Sequence, residues 1–598
     1  MEKLGSNRFI RFILLSGLLL LTSVMIYGMT FYSTIPHVSA FFKHSPFWLL
    51  INVVLVFSGM IILQAMIGRS WVTTLVASLV TLLWSVANYY TVTYHGSPLF
   101  LSEYANLMTA LDVAEAYTFD VNKDVIQLIG IFFALLVLSF LARALEKKLP
   151  RVVTKSAKQR IPGLIVGMAG IGILAFIVLG PLRILPKNIM GWSWKAGVQK
   201  YGFLVCFLED AKKGISDPYK MPEGYSTEAL SEVAVGRKAT TTEYPDLILI
   251  LNETFYNLEE FYEIHPDVSP MEAFYSVDNA VFGFAASGGG TNDSEYELLT
   301  SNSLYLLNSS SPFNNVNLKK QFSIIEYVEE LGYSTVGMHC GQKENYHRNK
   351  AYVDLGFDRI YLGPDAFQYQ KGNYQRKWLD SENYRDMMDH LEENASTPQF
   401  VFLLTYQNHG GYEQNDDSLD TIHSGVDYGK KTSQLNEFMS SLKLSSDAFL
   451  ELTESLKDKR PTVVLMVGDH GPNFAGALTL RSAQNGYHLE LARSLVPYVI
   501  WTNYKEIPER CGGMASMEDL IPMMLDVAGL PISPYYNAIL ELHESVPLRN
   551  GNGKYVDANG KEGQYSADSE YYDLMNRYFY LEYNSFDKEK MKRELFLP

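Results

Sequence analysis

Cysteine is scarce in this chain of 598 residues, which contains Cys206, Cys340 and Cys511 and no other. Small disulfide-stabilised domains need more cysteines, so that class of protein is excluded. A single bridge between Cys340 and Cys511 remains open at this stage. If the larger part of the chain is exported, so few cysteines are typical of a bacterium that does not rely on oxidative folding.

The chain also lacks an excess of positive charge. Its 50 lysines and arginines stand against 66 aspartates and glutamates, which gives a formal net charge of −16. Residues 1–160 hold 13 basic and 7 acidic residues, so the remaining residues carry −22. Such acidity argues against nucleic acid as a partner. It does not exclude an anionic lipid, because a bound cation can reverse the local field.

Long apolar runs are absent after residue 185, whereas five occur before it. Each approaches the roughly 20 residues that a helix needs to cross the hydrocarbon core of a bilayer. The runs are about 12–33, 47–67, 71–91, 125–145 and 163–182. A cleaved signal peptide explains one run but not five, and buried helices of globular proteins are usually shorter. Residues 1–185 are therefore predicted to form a transmembrane domain with five spans.

The charges of the loops predict the orientation of these spans. Residues 143–160 hold seven basic residues and one acid, and residues 92–124 hold five acids and one lysine. Loops rich in lysine and arginine stay in the cytoplasm. We therefore expect the amino terminus inside the cell and, after an odd number of spans, everything beyond residue 185 outside it.

Residues 186–244 are predicted to connect the spans to the rest of the chain. The aromatic, lysine-containing segment 191–214 fits either an interfacial helix on the outer leaflet or an ordinary surface helix. Residues 214–244 are rich in Pro, Gly, Ser, Thr and Glu, which is typical of a linker.

Short apolar runs alternate with helix-like polar segments beyond the linker. Four of them are "LILIL" (247–251), "STVGM" (334–338), "FVFLLT" (400–405) and "TVVLMV" (462–467). Near-continuous apolar strands separated by helices indicate an α/β domain with a parallel sheet covered on both faces. We assign this domain to residues 245–545 and a packed C-terminal extension to residues 546–598. Ligands of such sheets bind beyond the carboxyl ends of the strands.

Polar residues that bind metal or phosphate follow each of these strands. Glu253 follows the first, and Asp469 and His470 follow the last. Two carboxylates and one imidazole suit Mn²⁺, Zn²⁺ or Mg²⁺, and the oxygen ligands favour Mn²⁺ or Mg²⁺. The alternatives are a loop Asp-His pair without a ligand and a glutamate that stabilises a helix start.

The stretch "GGGTNDSEYELLTSNS" (288–303) brings three glycines directly before Thr291. A hydroxyl becomes a usable nucleophile when a divalent metal makes its alkoxide accessible, and glycines permit close approach to such a metal. Asn292 and Glu295 have capping-box spacing, so a helix is predicted to start just after the threonine and to offer free N–H groups to a phosphate. The alternative is a flexible loop in which Asn292 is an ordinary N-cap.

Two further segments contain candidate phosphate ligands. In "GQKENYHRN" (341–349), Arg348 beside His347 could hold a phosphate through two hydrogen bonds, although a surface arginine is the usual case. His409 follows Asn408 after the third strand, where a core histidine is the alternative.

Taken together, these motifs resemble the lipoteichoic acid synthase family, which consists of membrane-bound phosphoglycerol transferases with a sulfatase-like ectodomain. The motifs are "NETFYN" (252–257), "GGTNDSEYELLTSNS" (289–303), "NYHRN" (345–349), "QNHGGY" (407–412) and "VGDHGPN" (467–473). The stretch "SPLFLSEYANL" (97–107) also resembles the outer hairpin of that family. The resemblance covers essentially the whole chain and implies a five-helix transmembrane bundle followed by an α/β sulfatase/alkaline-phosphatase-like ectodomain.

The resemblance implies a role for eight residues. One Mn²⁺, or alternatively Mg²⁺, would be bound by Glu253, Thr291, Asp469 and His470, with Thr291 also the nucleophile. The glycerophosphate would be held by Arg348 and His409 in a pocket lined by His347 and Tyr346. Tyr346 stands where the family often has tryptophan, and His409 is also a candidate for proton transfer.

Related enzyme classes fit less well. The formylglycine motif C/S-x-P-x-R of sulfatases does not occur, and no second set of zinc ligands can be assembled. Phosphoethanolamine transferases of this type usually carry several disulfides, which three cysteines cannot supply.

The implied reaction transfers glycerophosphate from phosphatidylglycerol to a lipoteichoic acid chain or a glycolipid anchor through a glycerophospho-threonine intermediate, with release of diacylglycerol. It would occur at the outer face of the cell membrane of a Gram-positive-type bacterium. One alternative is a phosphoglycerol or phosphoethanolamine transferase that acts on another surface glycan. A second alternative is a non-catalytic membrane scaffold of the same fold.

Overall fold

The computed structural model describes residues 2–37, 46–95, 98–101, 121–147, 161–179, 194–215, 218–232, 235–308, 311–343, 345–369, 378–393, 396–412, 419, 421–481 and 489–598. They fall into two compact units, one up to Ile215 and the other from residue 218 onward. Much of the basic loop 143–160, of the acidic loop 92–124 and of the hairpin-like stretch 97–107 lies outside the described residues.

The described part of the first unit is helical. Its helices are α1 (Glu2–Thr34), α2 (Pro46–Ile67), α3 (Ser70–His95), α4 (Lys123–Lys147), α5 (Ile161–Leu179), α6 (Trp194–Tyr201) and α7 (Phe203–Ile215). Among the described residues, four segments are long and apolar enough to cross a membrane, namely Ile13–Thr34, Pro46–Ile67, Ser70–Thr93 and Lys123–Lys147. The fifth predicted span lies on α5, where Ile161–Ile173 forms a shorter apolar segment.

The segment predicted to be an interfacial or surface helix forms α6 and α7, which pack against α2. The side chain of Asn52 on α2 donates to the carbonyl of Tyr201 at 2.8 Å and accepts from the N–H of Leu204 at 3.0 Å. Gly202, between the two helices, has a φ of +86°, and a Cβ there would lie 2.4 Å from the amide nitrogen of Asn52. A buried amide thus satisfies the backbone groups that are freed at the break between the helices.

The second unit is built around an eight-stranded sheet. In chain order its strands are β1 (Asp246–Asn252), β2 (Ala280–Ala286), β3 (Ser334–His339), β4 (Arg359–Leu362), β5 (Gln399–Leu404), β6 (Thr462–Gly468), β7 (Leu495–Thr502) and β8 (Gly513–Ser516). The spatial order is β4-β3-β5-β1-β6-β7-β2-β8. Only β7 runs antiparallel to its neighbours, so the predicted mostly parallel α/β sheet is confirmed.

The four predicted strands are β3, β5, β1 and β6, which lie side by side in the middle of the sheet. Their continuous apolar character reflects burial, since every residue of β1, β5 and β6 is buried.

The helices of this unit are α8 (Leu258–Phe261), α9 (Glu272–Tyr275), α10 (Thr291–Thr300), α11 (Pro312–Asn315), α12 (Ile324–Glu330), α13 (Arg348–Leu355), α14 (Asp380–Glu393), α15 (Lys431–Leu456), α16 (Leu489–Ala492), α17 (Leu520–Ala528), α18 (Pro534–Ser545) and α19 (Tyr572–Ser585).

The register of the central strands determines which residues leave the sheet together. Asn252 of β1 pairs with Gly468 of β6. On the other side, Leu251 of β1 pairs with Leu404 of β5. The residues that follow these pairs therefore emerge at one edge of the sheet, where ligands of parallel sheets bind.

The last part of the chain packs against the segment that follows α10. It contains a small sheet of β9 (Leu548–Arg549), β10 (Lys554–Val556) and β11 (Glu562–Gln564), followed by α19. The Tyr578 hydroxyl donates to the carbonyl of Ser301 at 2.9 Å, and the Ser585 hydroxyl donates to Asn302 at 3.0 Å. These contacts support the carboxyl-terminal end of α10 from outside the sheet.

The bridge between Cys340 and Cys511 that the sequence left open is not formed. Both cysteines and Cys206 are free and buried. Burial raises the pKa of the Cys511 thiol to about 11, which keeps it protonated at neutral pH.

Candidate active site

Glu253, Asp469 and His470 meet at the carboxyl ends of β1 and β6. One ligand atom from each of these three residues lies within 4.8 Å of the other two. The Nε2 atom of His470 is 3.4 Å from Asp469 Oδ2 and 3.8 Å from Glu253 Oε1. In the described part of the chain, these three residues form the one group of at least three His, Cys, Asp or Glu side chains that is close enough together to hold a metal ion. Hard carboxylate oxygens with one imidazole suit a divalent cation such as Mn²⁺, Mg²⁺ or Zn²⁺.

The backbone turn after β1 is held in a rare conformation. Thr254 has a φ of +47°, in the left-handed region that β-branched residues rarely occupy. Its N–H donates to Asp469 Oδ1 and its hydroxyl donates to Glu253 Oε1, both at 2.7 Å. Gly468 makes room for this turn, because a Cβ there would lie 2.0 Å from the carbonyl oxygen of Phe255. The two carboxylates are thus fixed to each other through one strained residue.

Thr291 points its hydroxyl into the same group. Its Oγ1 atom donates to Asp469 Oδ2 at 2.7 Å and lies 3.4 Å from His470 Nε2. The structure therefore brings together all four residues that the resemblance identified as metal ligands. Ser294, on the next turn of the helix, donates to the carbonyl of Asp469 at 2.7 Å and ties α10 to the end of β6.

The start of α10 differs from the prediction. Thr291 is the first residue of the helix and Gly290 is the N-cap, so Asn292 is not an N-cap and forms no capping box with Glu295. The Asn292 side chain instead accepts from the N–H of Phe313 at 3.3 Å. Gly289 has a φ of +101°, which explains one glycine of the run through backbone conformation.

Burial and neighbouring charges set the protonation of this group. Burial is the main cause that raises the pKa of Glu253 and of Asp469. The charge of Glu253 raises the pKa of Asp469 further, whereas His470 lowers the pKa of both carboxyls. Burial alone would lower the pKa of His470, but the carboxylates of Asp469 and Glu253 outweigh it and the pKa is raised. Two buried carboxylates that resist ionisation are the electrostatic setting in which a bound cation is stabilising.

His470 presents one particular nitrogen to the group. Its Nδ1 atom lies 3.0 Å from the carbonyl oxygen of Gly471, which can only accept a hydrogen bond. Nδ1 therefore carries the proton, and Nε2 is the nitrogen that faces Thr291 and Asp469. This is the usual arrangement of a metal-binding histidine, in which the second nitrogen fixes the tautomer.

A second layer of polar side chains supports Glu253 from behind. The Thr405 hydroxyl accepts from the N–H of Glu253 at 3.1 Å and lies 3.3 Å from the side-chain oxygen of Asn252. The amide of Asn252 in turn donates to Asp380 at 2.9 Å. The sequence placed Asn252 at a strand end but gave no role to Thr405 or Asp380, because neither belongs to a recognisable local motif.

Arg348 is buried and paired with Glu295. Its Nη2 atom is 2.7 Å from Glu295 Oε2, and its Nε atom is 3.0 Å from the same oxygen. The charge of Arg348 also partly opposes the burial that raises the pKa of Glu253, so the guanidinium lies close enough to act on that carboxylate. The surface position that served as the alternative for Arg348 is therefore wrong.

Tyr346 and His347 form an unusual turn just before Arg348. Their φ angles are +53° and +55°, two consecutive non-glycine residues in the left-handed region. The ring of Tyr346 lies over the guanidinium of Arg348, with 5.0 Å between the ring centroid and Cζ. His347 is exposed.

His409 and His339 are two further histidines near this edge of the sheet. The ring of His409 stacks on Tyr406 with centroids 4.6 Å apart, and burial lowers the pKa of His409 to about 4. The charges of His470 and Arg348 also reach His409. His339, the last residue of β3, is buried, and burial together with the charge of Arg348 lowers its pKa. Both imidazoles are therefore neutral at pH 7.

Comparison with known proteins agrees with this description of the fold. The sequence pattern of the Sulfatase family matches residues 245–530. A Rhizobium meliloti protein named for cyclic beta-1,2-glucan modification is 24% identical over 373 residues, which cover 60% of this chain and 57% of that protein. The lipoteichoic acid synthase of Staphylococcus saprophyticus is 23% identical over 284 residues, 44% of this chain and 42% of that protein. The chain thus spans about half the length of the curated relatives it matches.

Two solved structures share the fold. The Streptococcus pyogenes phosphoglycerol transferase GacH, in complex with sn-glycerol-1-phosphate, has a TM-score of 0.52 at 20% identity and covers 64% of this chain and 99% of that chain. The integral membrane lipooligosaccharide phosphoethanolamine transferase A of Neisseria meningitidis has a TM-score of 0.52 at 14% identity and covers 86% of this chain and 96% of that chain. Residues 245–530 thus match the Sulfatase family and have a sulfatase/alkaline-phosphatase-like α/β fold, and they follow N-terminal helices that are apolar enough to cross a membrane.

Proposed function

We propose that this protein transfers glycerophosphate from phosphatidylglycerol to a lipoteichoic acid chain or a glycolipid anchor at the outer face of the membrane of a Gram-positive-type bacterium. The observation that carries the proposal is the position of the Thr291 hydroxyl, 2.7 Å from Asp469 and 3.4 Å from Nε2 of His470. The GacH structure, with its bound glycerol phosphate, supports a three-carbon phosphate as the transferred group. The related lipoteichoic acid synthase supports the acceptor.

The reaction would proceed in two displacements at phosphorus. In the first, Thr291 Oγ forms a bond to the phosphorus of phosphatidylglycerol, and the bond to the diacylglycerol oxygen breaks. In the second, the hydroxyl of the acceptor displaces Thr291 from the glycerophospho-threonine intermediate. A bound Mn²⁺ or Mg²⁺ would make the threonine alkoxide accessible and would stabilise charge on the phosphoryl oxygens.

The residues of this chain would orient the reactants. Glu253, Asp469 and His470 would hold the cation beside Thr291, because their ligand atoms already lie within 4.8 Å of one another. Arg348 would bind phosphoryl oxygens by charge-assisted hydrogen bonds. Since the pKa of His409 is about 4, its ring is neutral at pH 7, and it would hold the glycerophosphate by a hydrogen bond rather than by charge.

The remaining predicted residues would shape the glycerol end of the site. Tyr346 lies against Arg348, so a glycerophosphate held by the arginine would lie near this ring. His347 is exposed at the same turn and would contact the donor or acceptor from the solvent side. The N-terminal helices would keep the domain beside its lipid substrate, which removes the need for the lipid to leave the bilayer.

The decisive experiment incubates the purified full-length protein with labelled phosphatidylglycerol and Mn²⁺. We expect release of diacylglycerol and a glycerophosphate adduct on Thr291, detectable by peptide mass spectrometry. Thr291→Ala should abolish both, whereas Thr300→Ala on the same helix should not, because the Thr300 hydroxyl bonds at the other end of that helix, where it donates to the carbonyl of Tyr296 and accepts from the N–H of Asn302. A Thr291→Ala protein as active as the parent would favour the non-catalytic scaffold.

A second candidate is a phosphoglycerol or phosphoethanolamine transferase that acts on another surface glycan. It is favoured by the relative named for glucan modification and by the phosphoethanolamine transferase that matches 86% of this chain in fold. The mass of the adduct on Thr291 distinguishes glycerophosphate from phosphoethanolamine. Supplying lipid-linked glycerophosphate polymer or a free glucan as the acceptor distinguishes the two glycerophosphate reactions.

A further inference from the structure

The pair between Glu295 and Arg348 is unusual because both charges are buried. Relative side-chain exposure is 4% for Arg348 and 0% for Glu295. Burial opposes the charge of Arg348, but the carboxylate of Glu295 more than offsets it, so the pKa of Arg348 lies above its ordinary value. A buried ion pair is rarely the most stabilising choice, since apolar residues of similar volume often do as well. The presence of this buried pair therefore indicates a role other than stabilising the fold.

The geometry of the pair leaves one edge of the arginine available. Glu295 receives hydrogen bonds from Nε and Nη2, which form one side of the planar guanidinium. An arginine has five N–H groups, and the pair with Glu295 uses the N–H of Nε and one N–H of Nη2. The opposite edge of the guanidinium, formed by Nη1 and the second N–H of Nη2, lies outside the pair. That edge has the two-donor geometry that matches a phosphate.

The carboxylate of Glu295 is itself fixed in place. The Tyr352 hydroxyl, one turn after Arg348 on α13, donates to Glu295 Oε1 at 2.8 Å. Tyr346 covers one face of the guanidinium from the other side of Arg348. Glu295 thus holds one edge of the guanidinium, and the ring of Tyr346 covers one of its faces.

Glu295 also lies on the helix that begins with Thr291. The two residues are four positions apart, so they lie about one turn from each other along α10. A single rigid helix therefore carries the hydroxyl at its first residue and the partner of the arginine one turn later. Any movement of α10 displaces the hydroxyl and the guanidinium together.

We propose that Glu295 is a positioning residue, which acts through Arg348 to hold a phosphoryl group at a fixed distance from the Thr291 hydroxyl. This inference rests on the proposed function, because it assumes that Arg348 binds the phosphate of the donor. It assigns to Glu295 no contact with substrate. Removing its charge should therefore loosen the arginine while leaving every proposed metal ligand in place.

The test is a double-mutant cycle of Glu295→Gln, Arg348→Gln and the combined variant in the full-length protein. Glu297→Gln is the matched control, because Glu297 is a buried glutamate of the same helix whose charged neighbours are the acids Glu518, Asp293 and Glu582 rather than Arg348. Binding of sn-glycerol-1-phosphate in the presence of Mn²⁺, Mn²⁺ binding alone, and single-turnover release of diacylglycerol are measured for each protein.

We expect Glu295→Gln to weaken glycerol phosphate binding and to slow the single turnover at least about tenfold, with a much smaller change in Mn²⁺ affinity. The combined variant should be no worse than Arg348→Gln alone, because Glu295 has nothing left to position. The inference is overturned if Glu295→Gln behaves like the Glu297→Gln control, or if the two single losses multiply in the combined variant.

Two outcomes separate this inference from the proposed function. A parent protein that binds glycerol phosphate but releases no diacylglycerol contradicts the proposed function, and the cycle is then scored on binding alone. If Glu295→Gln does not fold, Glu295→Asp keeps the charge but shortens the side chain by one methylene, and we expect the same selective loss of phosphate binding. Failure of both variants to fold would show that the role of Glu295 is structural.

Discussion

The hydroxyl of Thr291 lies 2.7 Å from Oδ2 of Asp469, although 178 positions separate the two residues in the sequence. The other oxygen of the same carboxylate accepts from the N–H groups of Thr254 and His470, each at 2.7 Å. Asp469 therefore connects the start of α10, the turn after β1 and the end of β6. Its two oxygens have separate tasks, one structural and one directed at the candidate nucleophile.

Asp469→Asn should lower the affinity for Mn²⁺ by at least about 100-fold, because it removes the charge of a ligand and places an amide near two backbone donors. In the parent protein, Mn²⁺ at about 100 times its Kd should stabilise the fold by about 2.7 kcal/mol, visible as a higher Tm that chelation reverses. The variant should lose this shift at the same metal concentration.

The matched control for that variant is Asp246→Asn. Asp246 is a buried aspartate at the opposite end of β1, where it accepts from the N–H of Gln399 at 2.8 Å. Its substitution should leave Mn²⁺ affinity unchanged by calorimetric titration. Equal Mn²⁺ affinity of Asp469→Asn and the parent would contradict the metal assignment.

Thr405→Val should weaken metal binding without touching a metal ligand. It removes the acceptor of the Glu253 N–H, and a buried unsatisfied N–H costs about 1–3 kcal/mol. Loss of such a supporting contact typically costs about 10–100-fold in metal affinity. Thr462→Val is the control, since Thr462 begins β6 at the far end of the sheet and its hydroxyl bonds only to Arg460. A Thr405→Val protein with parental Mn²⁺ affinity would show that Glu253 needs no such support.

Asp246 should make stability fall as pH rises. Burial raises its pKa from 3.8 to about 6, against the hydrogen bond from Gln399 and the charge of Arg460. Because the pKa in the folded state exceeds that in the unfolded chain, the favourable contribution is complete below about pH 4 and is lost as the pH rises through about 6. The full loss should be on the order of 3 kcal/mol.

The measurement compares the Tm of the parent with that of Asp246→Asn at several values from about pH 4.5 to about pH 7. The asparagine variant cannot ionise at this position, so the parent should lose stability relative to it over this interval. A difference in Tm that stays constant with pH would show that the carboxyl titrates normally.

The central strands could be predicted because they are buried on both faces, and burial on both faces gives the continuous apolar runs seen in the sequence. Two of the four strands of the eight-stranded sheet that the sequence pattern does not predict, β2 and β7, carry contrary signals. β7 contains Pro497, which pairs with Phe284 of β2, and proline argues against a central strand because it lacks a donor. β2 contains Gly283, where a Cβ would lie 2.0 Å from the carbonyl oxygen of Gly513. Only the tertiary arrangement shows why these residues are tolerated.

The candidate site shows the same division between local and long-range information. Glu253, Asp469 and His470 stand next to strand ends, so their meeting follows from a parallel sheet. The partnership of Glu295 with Arg348 does not, because the two are 53 positions apart and Glu295 had a local explanation in the capping-box spacing. Sequence spacing favoured the local interpretation, and burial of the pair decides against it.

The contacts of Tyr578 and Ser585 with Ser301 and Asn302 have a consequence for the order of assembly. These two side chains come from the final helix of the chain, so they leave the ribosome after every proposed ligand. A partly synthesised protein can carry its membrane anchor and its whole ligand set while the helix of Thr291 still lacks its outer support. We therefore expect competence to appear only once α19 has been made and has packed, and removal of α19 to leave the apolar helices in place with an inactive domain.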